Sequence, residues 1–576
     1  MIRMLRRPLF ALLVVACMAV NASAQPASIS GIINIYTSVT RVMVRGVDVT
    51  DADGFGPGDT VVIIQMKGAF IHKPNTAGYG TILSYNNAGN YEFGIIDSVL
   101  GLRITLRDTI VRGYDPEYIV QLVRVPHYCQ VNVDGPLTAR PWDGRVGGVL
   151  VLEASGNVGL NADIDVSHIG FAGGRVSRAG RTPSLTDYFY PDGSPNGGEK
   201  GENISMYDGP RDAGRGAPAN GGGGGNSLNA GGGGGGNGGG GGTGGNESSL
   251  GTSMSIGGRE GKALLWSNQV DRIFLGGGGG GGQQDNGAGT PGGYGGGIVI
   301  IRSTKIIGNG HAIRANGQDA AAAGNDGAGG GGGGGAILLD AGTVSSVRGE
   351  LHGGNGGDIN SSGLSACHGT GGGGGGGAFR VRGPAVPPDV IVDHQEGRAG
   401  RHLSAESPCF GSNYGATGGT AGVIVPELVI RPAIVPAALV MVDAGSDSSI
   451  CPGDSVLLAG SGSGALSWRW FPSDGLSCPT CPRTMAYPAV TTSYHLIGYG
   501  AAGCLAVDSA IVVVRHPFPV DAGPDRTICA GDSVRFDIPA RNALYHWSPA
   551  DGLSCIDCAS PVARPSATTT YIVSAA

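Results

Sequence analysis

The sequence predicts an all-β, modular chain. Its parts are a small N-terminal β domain, a glycine-rich β-solenoid or layered β region, and two tandem β-sandwiches, the second incomplete. Three observations carry that expectation. Glycine makes up 112 of 576 residues and comes in blocks. A motif of two glycines followed by four mostly aliphatic residues recurs through the glycine-rich part, and a 78-residue repeat with strand-like alternation occupies the C-terminal end. Blocked glycine excludes collagen, which needs it at every third position. A formal net charge of −7 argues against a nucleic-acid partner. With 40% hydrophobic residues the chain is not a disordered polyelectrolyte.

Residues 1–24 read as a signal peptide: Arg3, Arg6 and Arg7 precede the apolar Leu9 to Ala16, and Ala22-Ser23-Ala24 is an A-x-A cleavage site. A lipoprotein leader acylated at Cys17 is the competing reading. The apolar run is too short to span a bilayer, and no transmembrane helix is expected after leader cleavage. Export implies an oxidising compartment, so cysteines are read first as disulfides.

Residues 27–146 have ordinary composition and strand signals. Gly58 to Gly68 is a turn followed by a buried strand, Ile104 and Leu106 alternate with polar neighbours, and Tyr118 to Val125 is another strand. A small β-barrel or a cap on the solenoid fits. With ARPWDGRVGG (Ala139 to Gly148) and GFAGG (Gly170 to Gly174), this part resembles the front half of glycine-rich secreted bacterial proteins.

Residues 147–425 form the solenoid-like region. Gly147-Gly148 with Val149 to Leu152 recurs as Gly296-Gly297 with Ile298 to Ile301, Gly334-Gly335 with Ala336 to Leu339, and Gly376-Gly377 with Ala378 to Val381. A further apolar position follows in each unit, at Ile164, Ile313, Leu351 and Ile391. Units that cannot bury a face alone must stack. The pure glycine tracts between them read either as flexible linker or as extended polyglycine helices packed side by side. For Ala219 to Gly245 both readings stand; tracts running into strands are expected to be ordered. Through these tracts alone the region resembles the glycine-rich domain of the anaplastic lymphoma kinase receptor family.

A proline-containing linker, 426–441, leads to domains 442–515 and 519–576. VDAGSDSSICPGDSV (Val442 to Val456) returns as VDAGPDRTICAGDSV (Val520 to Val534), and DGLSCPTC (Asp474 to Cys481) as DGLSCIDC (Asp551 to Cys558). Trp468 and Trp470 match Tyr545 and Trp547. Alternation through Val534, Phe536 and Ile538, and through Leu466, Trp468 and Trp470, predicts small sandwiches. Cys451 is expected to pair with Cys504. Cys478 with Cys481 and Cys555 with Cys558 are expected as loop disulfides, zinc and redox readings lacking their usual context. The second copy ends before the counterpart of Cys504 and is expected to be incomplete. These residues resemble the PKD-like/Ig-like repeats of large secreted Bacteroidota proteins. That resemblance implies Ig-like sandwiches, surface attachment and type IX secretion.

Chemistry is sparse in this reading. G-x-G-x-x-G matches arise by chance in so much glycine, and none sits between a strand and a helix. Asp51, Asp53 and Asp59 faintly suggest a calcium loop, and a plain turn is favoured. His352, His368, His394 and His402 lie near Cys367 and Cys409; a Cys367–Cys409 disulfide with solvated histidines is favoured over a metal site, and Cys129 is unplaced. No catalytic, cofactor-binding or metal-binding residue is nominated, and no cofactor is expected. A catalytic groove would need paired carboxylates or basic residues, for which the strands supply Arg380, Arg314 and Asp165. The expectation is a non-enzymatic, exported surface or adhesin-like protein, secreted or on the outer cell surface, with extracellular glycans or surface proteins as partners. The alternatives are a polysaccharide-active enzyme on a β-helix and a glycan-binding module.

Overall fold

The computed structural model describes residues 26–177, 187–191, 196–206, 212–249, 254–267, 271–361, 366–431, 440–500, 504–516, 519–539 and 543–575. The expected leader and positions 432–439 of the linker lie outside them. Among the described residues there is no α-helix, only strands and one 3-10 turn, Pro116–Tyr118. No helix is long and apolar enough to cross a membrane. The chain divides into two compact units, Ala22–Val440 with Tyr499–Leu505, and Met441–Gly498 with Ala506–Ala576.

In the larger unit, strands Ile35–Met43, Gly46–Val49, Arg103–Leu106, Tyr91–Leu100, Thr60–Gln65 and Val120–Val125 close a barrel in that order. The unbroken apolar run of Thr60–Gln65 has a simple cause. Val61 and Ile63 fill the barrel, while Val62 and Ile64 face a second core outside it. The barrel is shorter than residues 27–146. Ala27–Ile32 and Val131–Thr138 leave it to pair in parallel and join the stack.

The recurring aliphatic motif builds a parallel, in-register stack: Val149, Ile298, Ala336, Ala378 and Val423 lie on successive rungs. Val149, Val151, Ile298, Ile300, Ala336 and Leu338 enter one core. Leu150, Leu152, Val299, Ile301, Ile337 and Leu339 enter another. Burial on both faces is why these strands read as continuous aliphatic runs. The secondary apolar positions hold only in part. Ile164 pairs with Ile313, but Ile313 pairs with Gly349, two residues short of Leu351. A Cβ at Gly349 would press on the Phe379 ring, which occupies that place in the core. Ile391 pairs with Arg348 and is 60% exposed.

The glycine tracts are ordered, Ala219 to Gly245 included, and almost entirely buried. Gly276, Gly279 and Gly282 donate backbone N–H bonds to Gly296, Gly293 and Thr290. Gly277, Gly280 and Gln283 donate to Gly236, Gly233 and Ala230, and Gly278 and Gly281 to Glu202 and Glu199. The carbonyls of the same tract accept from three further segments, around Gly174, Gly222 and Gly330. Three residues per turn with bonds radiating to six neighbours is a lattice of extended left-handed helices. A Cβ on any residue from Gly276 to Gly282 would lie closer than 3.0 Å to a neighbouring backbone carbonyl. Only glycine satisfies that spacing.

In the smaller unit, Ser448–Ile450, Leu505–Val514, Thr492–Gly500 and Ala465–Phe471 form one sheet, and Val456–Ala459 pairs with Arg483–Ala486. Trp470, Tyr494, Leu496 and Val512 make the core; Leu466, at the strand's open end, is 78% exposed. The second copy places Tyr545–Ser548 against Ile572–Ala575 around Trp547. Both CxxC loops close as disulfides. Their carbonyls cap the core: Trp470 Nε1 donates to Cys481 O at 3.0 Å, and Trp547 Nε1 to Cys558 O at 2.9 Å.

One expected pairing is corrected. Cys504 is bonded to Cys129, and Cys451 and Cys529 are free and exposed. Ser448–Ile450 runs parallel to the end of Leu505–Val514, with Ile450 opposite Val514. Cys451 and Cys504 therefore sit at opposite ends of a ten-residue strand, about 30 Å apart at 3.3 Å per residue, far beyond disulfide reach.

Candidate functional site

In-register stacking superposes equivalent side chains, so a charge on one rung meets the next rung's residue directly. The position after the four aliphatics reads Glu153, Arg302, Asp340, Arg382, alternating in sign. Arg302 Nη1 lies 2.9 Å from Glu153 and its Nε 3.6 Å from Asp340, and Arg382 Nε donates to Asp340 at 2.7 Å. His127 extends the row through Glu153 at 3.1 Å. All three central groups are buried. This ladder escaped the sequence reading, although the sign alternation at a fixed offset from each glycine pair would have revealed it. A second, half-exposed row runs Asp165, Arg314, Glu350, Asp393. There Arg314 bridges Asp163 at 2.7 Å and Glu350 at 2.8 Å. Both rows are consumed by rung-to-rung pairing.

One residue breaks the aliphatic columns. Arg380 stands opposite Leu338, where the preceding rungs carry Ile300 and Val151. A buried guanidinium needs a counter-charge, and Asp271 supplies it: Arg380 Nη1 is 2.7 Å from Asp271 Oδ1. The Tyr91 hydroxyl donates to the same oxygen at 2.8 Å, and Arg112 Nη2 binds Oδ2 at 3.0 Å. Arg302 lies flat on Phe93, 4.2 Å from its centroid, a cation–π arrangement. Barrel strand Tyr91–Leu100 thus delivers Tyr91 and Phe93 to the stack and turns Glu92 away from them. Glu92 accepts the backbone N–H groups of Val111 and Arg112. Burial raises its carboxyl above the usual range, and the two N–H donors oppose the shift only partly. Burial likewise raises the Tyr91 and Tyr114 phenols, so both stay neutral.

Above this cluster opens a cleft of about 620 Å³, within the 300–1,000 Å³ range of ligand sites. Glu92, Asp108, Thr109, Arg112, Asp271 and Arg431 give it polar groups. Val111 and Val429, 85% and 58% exposed, form apolar walls. Carboxylates and a guanidinium fork can bind adjacent hydroxyls bidentately, while aliphatic walls suit C–H faces.

Of the positions singled out from sequence, Arg380 belongs to this site and Arg314 and Asp165 to the outer row. Cys367 and Cys409 are bonded as expected. The neighbouring histidines are not uniformly solvated: His368 and His402 are buried, with His402 Nε2 2.8 Å from the His368 carbonyl oxygen. His368 follows Cys367 of the disulfide directly in sequence. Burial lowers both imidazole pKa values. Asp51 accepts a turn N–H, and Asp59 binds Arg124 at 2.8 Å, so the plain turn is what forms there. Among the described residues no three His, Cys, Asp or Glu side chains converge as a metal site. Glu92 and Asp271 were missed because 179 positions of chain separate them.

No family model and no curated protein matches the chain. Among solved structures it is similar to the Gp54 tailspike of Acinetobacter baumannii bacteriophage AP22, determined in complex with A. baumannii capsular saccharide. That match has TM-score 0.13 and 12% identity over 65% of this chain and 58% of the tailspike. It is also similar to tailspike gp49 from Pseudomonas phage LKA1, with TM-score 0.12 and 9% identity over 95% of this chain and 82% of that one. The expectation of a non-enzymatic chain is corrected here. The cleft gathers carboxylates, Glu92 and Asp271, that linear spacing keeps apart.

Proposed function

We propose that the chain works outside the cell as a glycan-binding protein, with the Arg112–Asp271 cleft as its saccharide site. The carrying observation is the cleft itself: a 620 Å³ opening whose charged floor is held by Arg380, Arg112 and Tyr91 and whose rim is aliphatic. Four disulfides support an oxidising location. In this reading the stack is a rigid stalk, the C-terminal repeats are Ig-like sandwiches, and the whole is a secreted or surface-attached adhesin. A glycan array probed with the full chain tests it. Binding to a defined set of oligosaccharides, weakened at least tenfold by Val429→Asp or Arg431→Glu, is the expected result. An array without signal, or signal indifferent to both variants, would refute it.

A second reading, a polysaccharide-active enzyme, is favoured by one observation. Two of the cleft's three carboxyls stand in unlike surroundings, Glu92 raised by burial and Asp271 against two guanidinium groups, a division suited to acid–base roles. New reducing ends released from array-positive glycans, and lost in Glu92→Gln, would select it.

A further inference from the structure

A second cavity lies in the same unit, at the outer edge of the stack. It measures about 490 Å³ and its only charged lining residues are Arg398 and Arg401. The segment carrying them is one of the three-residue-per-turn ribbons. Gly397 and Gly400 donate inward to Gly374 and Gly371, while the carbonyls of Arg398 and Arg401 accept from Gly356 and Ile359. The period of three puts both arginines on one outward row, roughly 9 Å apart at 3.1 Å per residue.

On the inner rungs that row belongs to Asn and Asp, and their side chains tie each rung to the next. Asp319 accepts the Asn355 N–H at 2.6 Å, Asn355 accepts the Arg398 N–H at 3.0 Å, and Asp358 accepts the Arg401 N–H at 2.7 Å. A guanidinium has no acceptor and cannot continue this pattern. At this rung the row changes from acceptor to cation. Arg398 is clamped bidentately on Asp358 at 2.8 and 2.9 Å and its Nη1 also donates to the Ala399 carbonyl at 3.1 Å, which fixes its plane and leaves the Nε–Nη2 side as its outer edge. Arg401 forms no close ion pair among the described residues, and Asp358, already held by Arg398, is the carboxylate that feels its charge. Ser412 and Asn413 complete the polar lining, and no carboxylate shares it.

We infer that this cavity is an oxyanion site. It takes the carboxylate or sulfate group of an acidic saccharide, or the free inorganic anion, held by Arg401, the outer edge of Arg398 and the side chains of Ser412 and Asn413. Planar, fork-shaped recognition is what arginine offers over lysine. The inference does not depend on the Arg112–Asp271 cleft.

Calorimetric titration of the full chain at fixed ionic strength tests it, with sulfate, tetragalacturonate and neutral cellotetraose as probes. The expected result is binding of sulfate and tetragalacturonate and none of cellotetraose at this site. Arg401→Met should weaken both at least tenfold with an unchanged melting temperature, and Arg401→Lys should recover only part of the loss. Arg431→Glu, in the other cleft, should leave sulfate binding unchanged, so the two readings fail separately. Sulfate bound without tetragalacturonate would keep the site and assign it to the free ion. Binding of neither anion, or equal affinity in Arg401→Met, would overturn the inference.

Discussion

Gly280→Ala distinguishes an ordered glycine lattice from a linker by the size of its effect. A Cβ there would press on the Gly223 carbonyl and the Gly224 nitrogen, backbone atoms with no rotamer to escape into. It would also push apart two bonds, Gly280 N–H to Gly233 and Gly330 N–H to Gly280. Overpacking costs about 1–3 kcal/mol, and two weakened hydrogen bonds about 1–3 kcal/mol more, so a loss of about 2–6 kcal/mol is expected. With about 2.1 cal/mol/K of unfolding entropy per residue over a unit of roughly 420 residues, the melting temperature should fall by about 2–7 °C. In a flexible linker the residue is equally free in the folded and unfolded chain, so the same change would leave stability within about 0.5 kcal/mol of wild type. Gly240→Ala is the matched control. Its nearest neighbour would be 3.5 Å away, ordinary contact, and a shift within about 0.5 kcal/mol is expected. Calorimetry on the three proteins decides the matter. A Gly280→Ala protein as stable as wild type would refute the lattice.

The buried charge ladder should be intolerant of losing its centre. Arg302→Leu leaves Glu153 with only His127 and Asp340 with only Arg382, and a loss of about 3 kcal/mol in urea unfolding is expected. Glu247, 5% exposed, has its carboxyl pushed up to about 7 by burial and then by Asp285. Its folded pKa lies above its unfolded one, so the native state holds the extra proton. Its contribution is fully present below pH 4.5 and lost as pH rises through 7, on the order of 2–3 kcal/mol. His368 and His402, lowered by burial, act oppositely and destabilise the fold as they protonate in acid. Glu247→Gln should flatten the decline of stability between pH 5 and 8 and leave the acid limb intact. Non-reducing peptide mapping should link Cys129 to Cys504, with Cys451 and Cys529 open to a thiol reagent; a Cys451–Cys504 peptide would contradict the strand pairing.

The rungs were legible because an in-register stack obliges each rung to repeat the pattern that its neighbours bury. The glycine pair and four aliphatics therefore line up at Val149, Ile298, Ala336 and Ala378. The secondary positions blurred at Gly349, where one aromatic, Phe379, fills the room that other rungs give to a strand residue. The cleft was illegible for another reason. Arg380 looks like one charge in an apolar strand until Asp271, 109 residues earlier, is seen against it.

Composition, alternation and repeat spacing by themselves determined that the described chain is β and where its rungs and CxxC loops fall. These depend on neighbours along the strand or on a pattern the chain states more than once. Tertiary structure alone decided which ribbon each glycine tract meets, which cysteine Cys504 finds, and which carboxylate neutralises Arg380. A run of identical glycines carries no register, and a charge carries no address. Both acquire partners only when distant segments are brought within hydrogen-bond range.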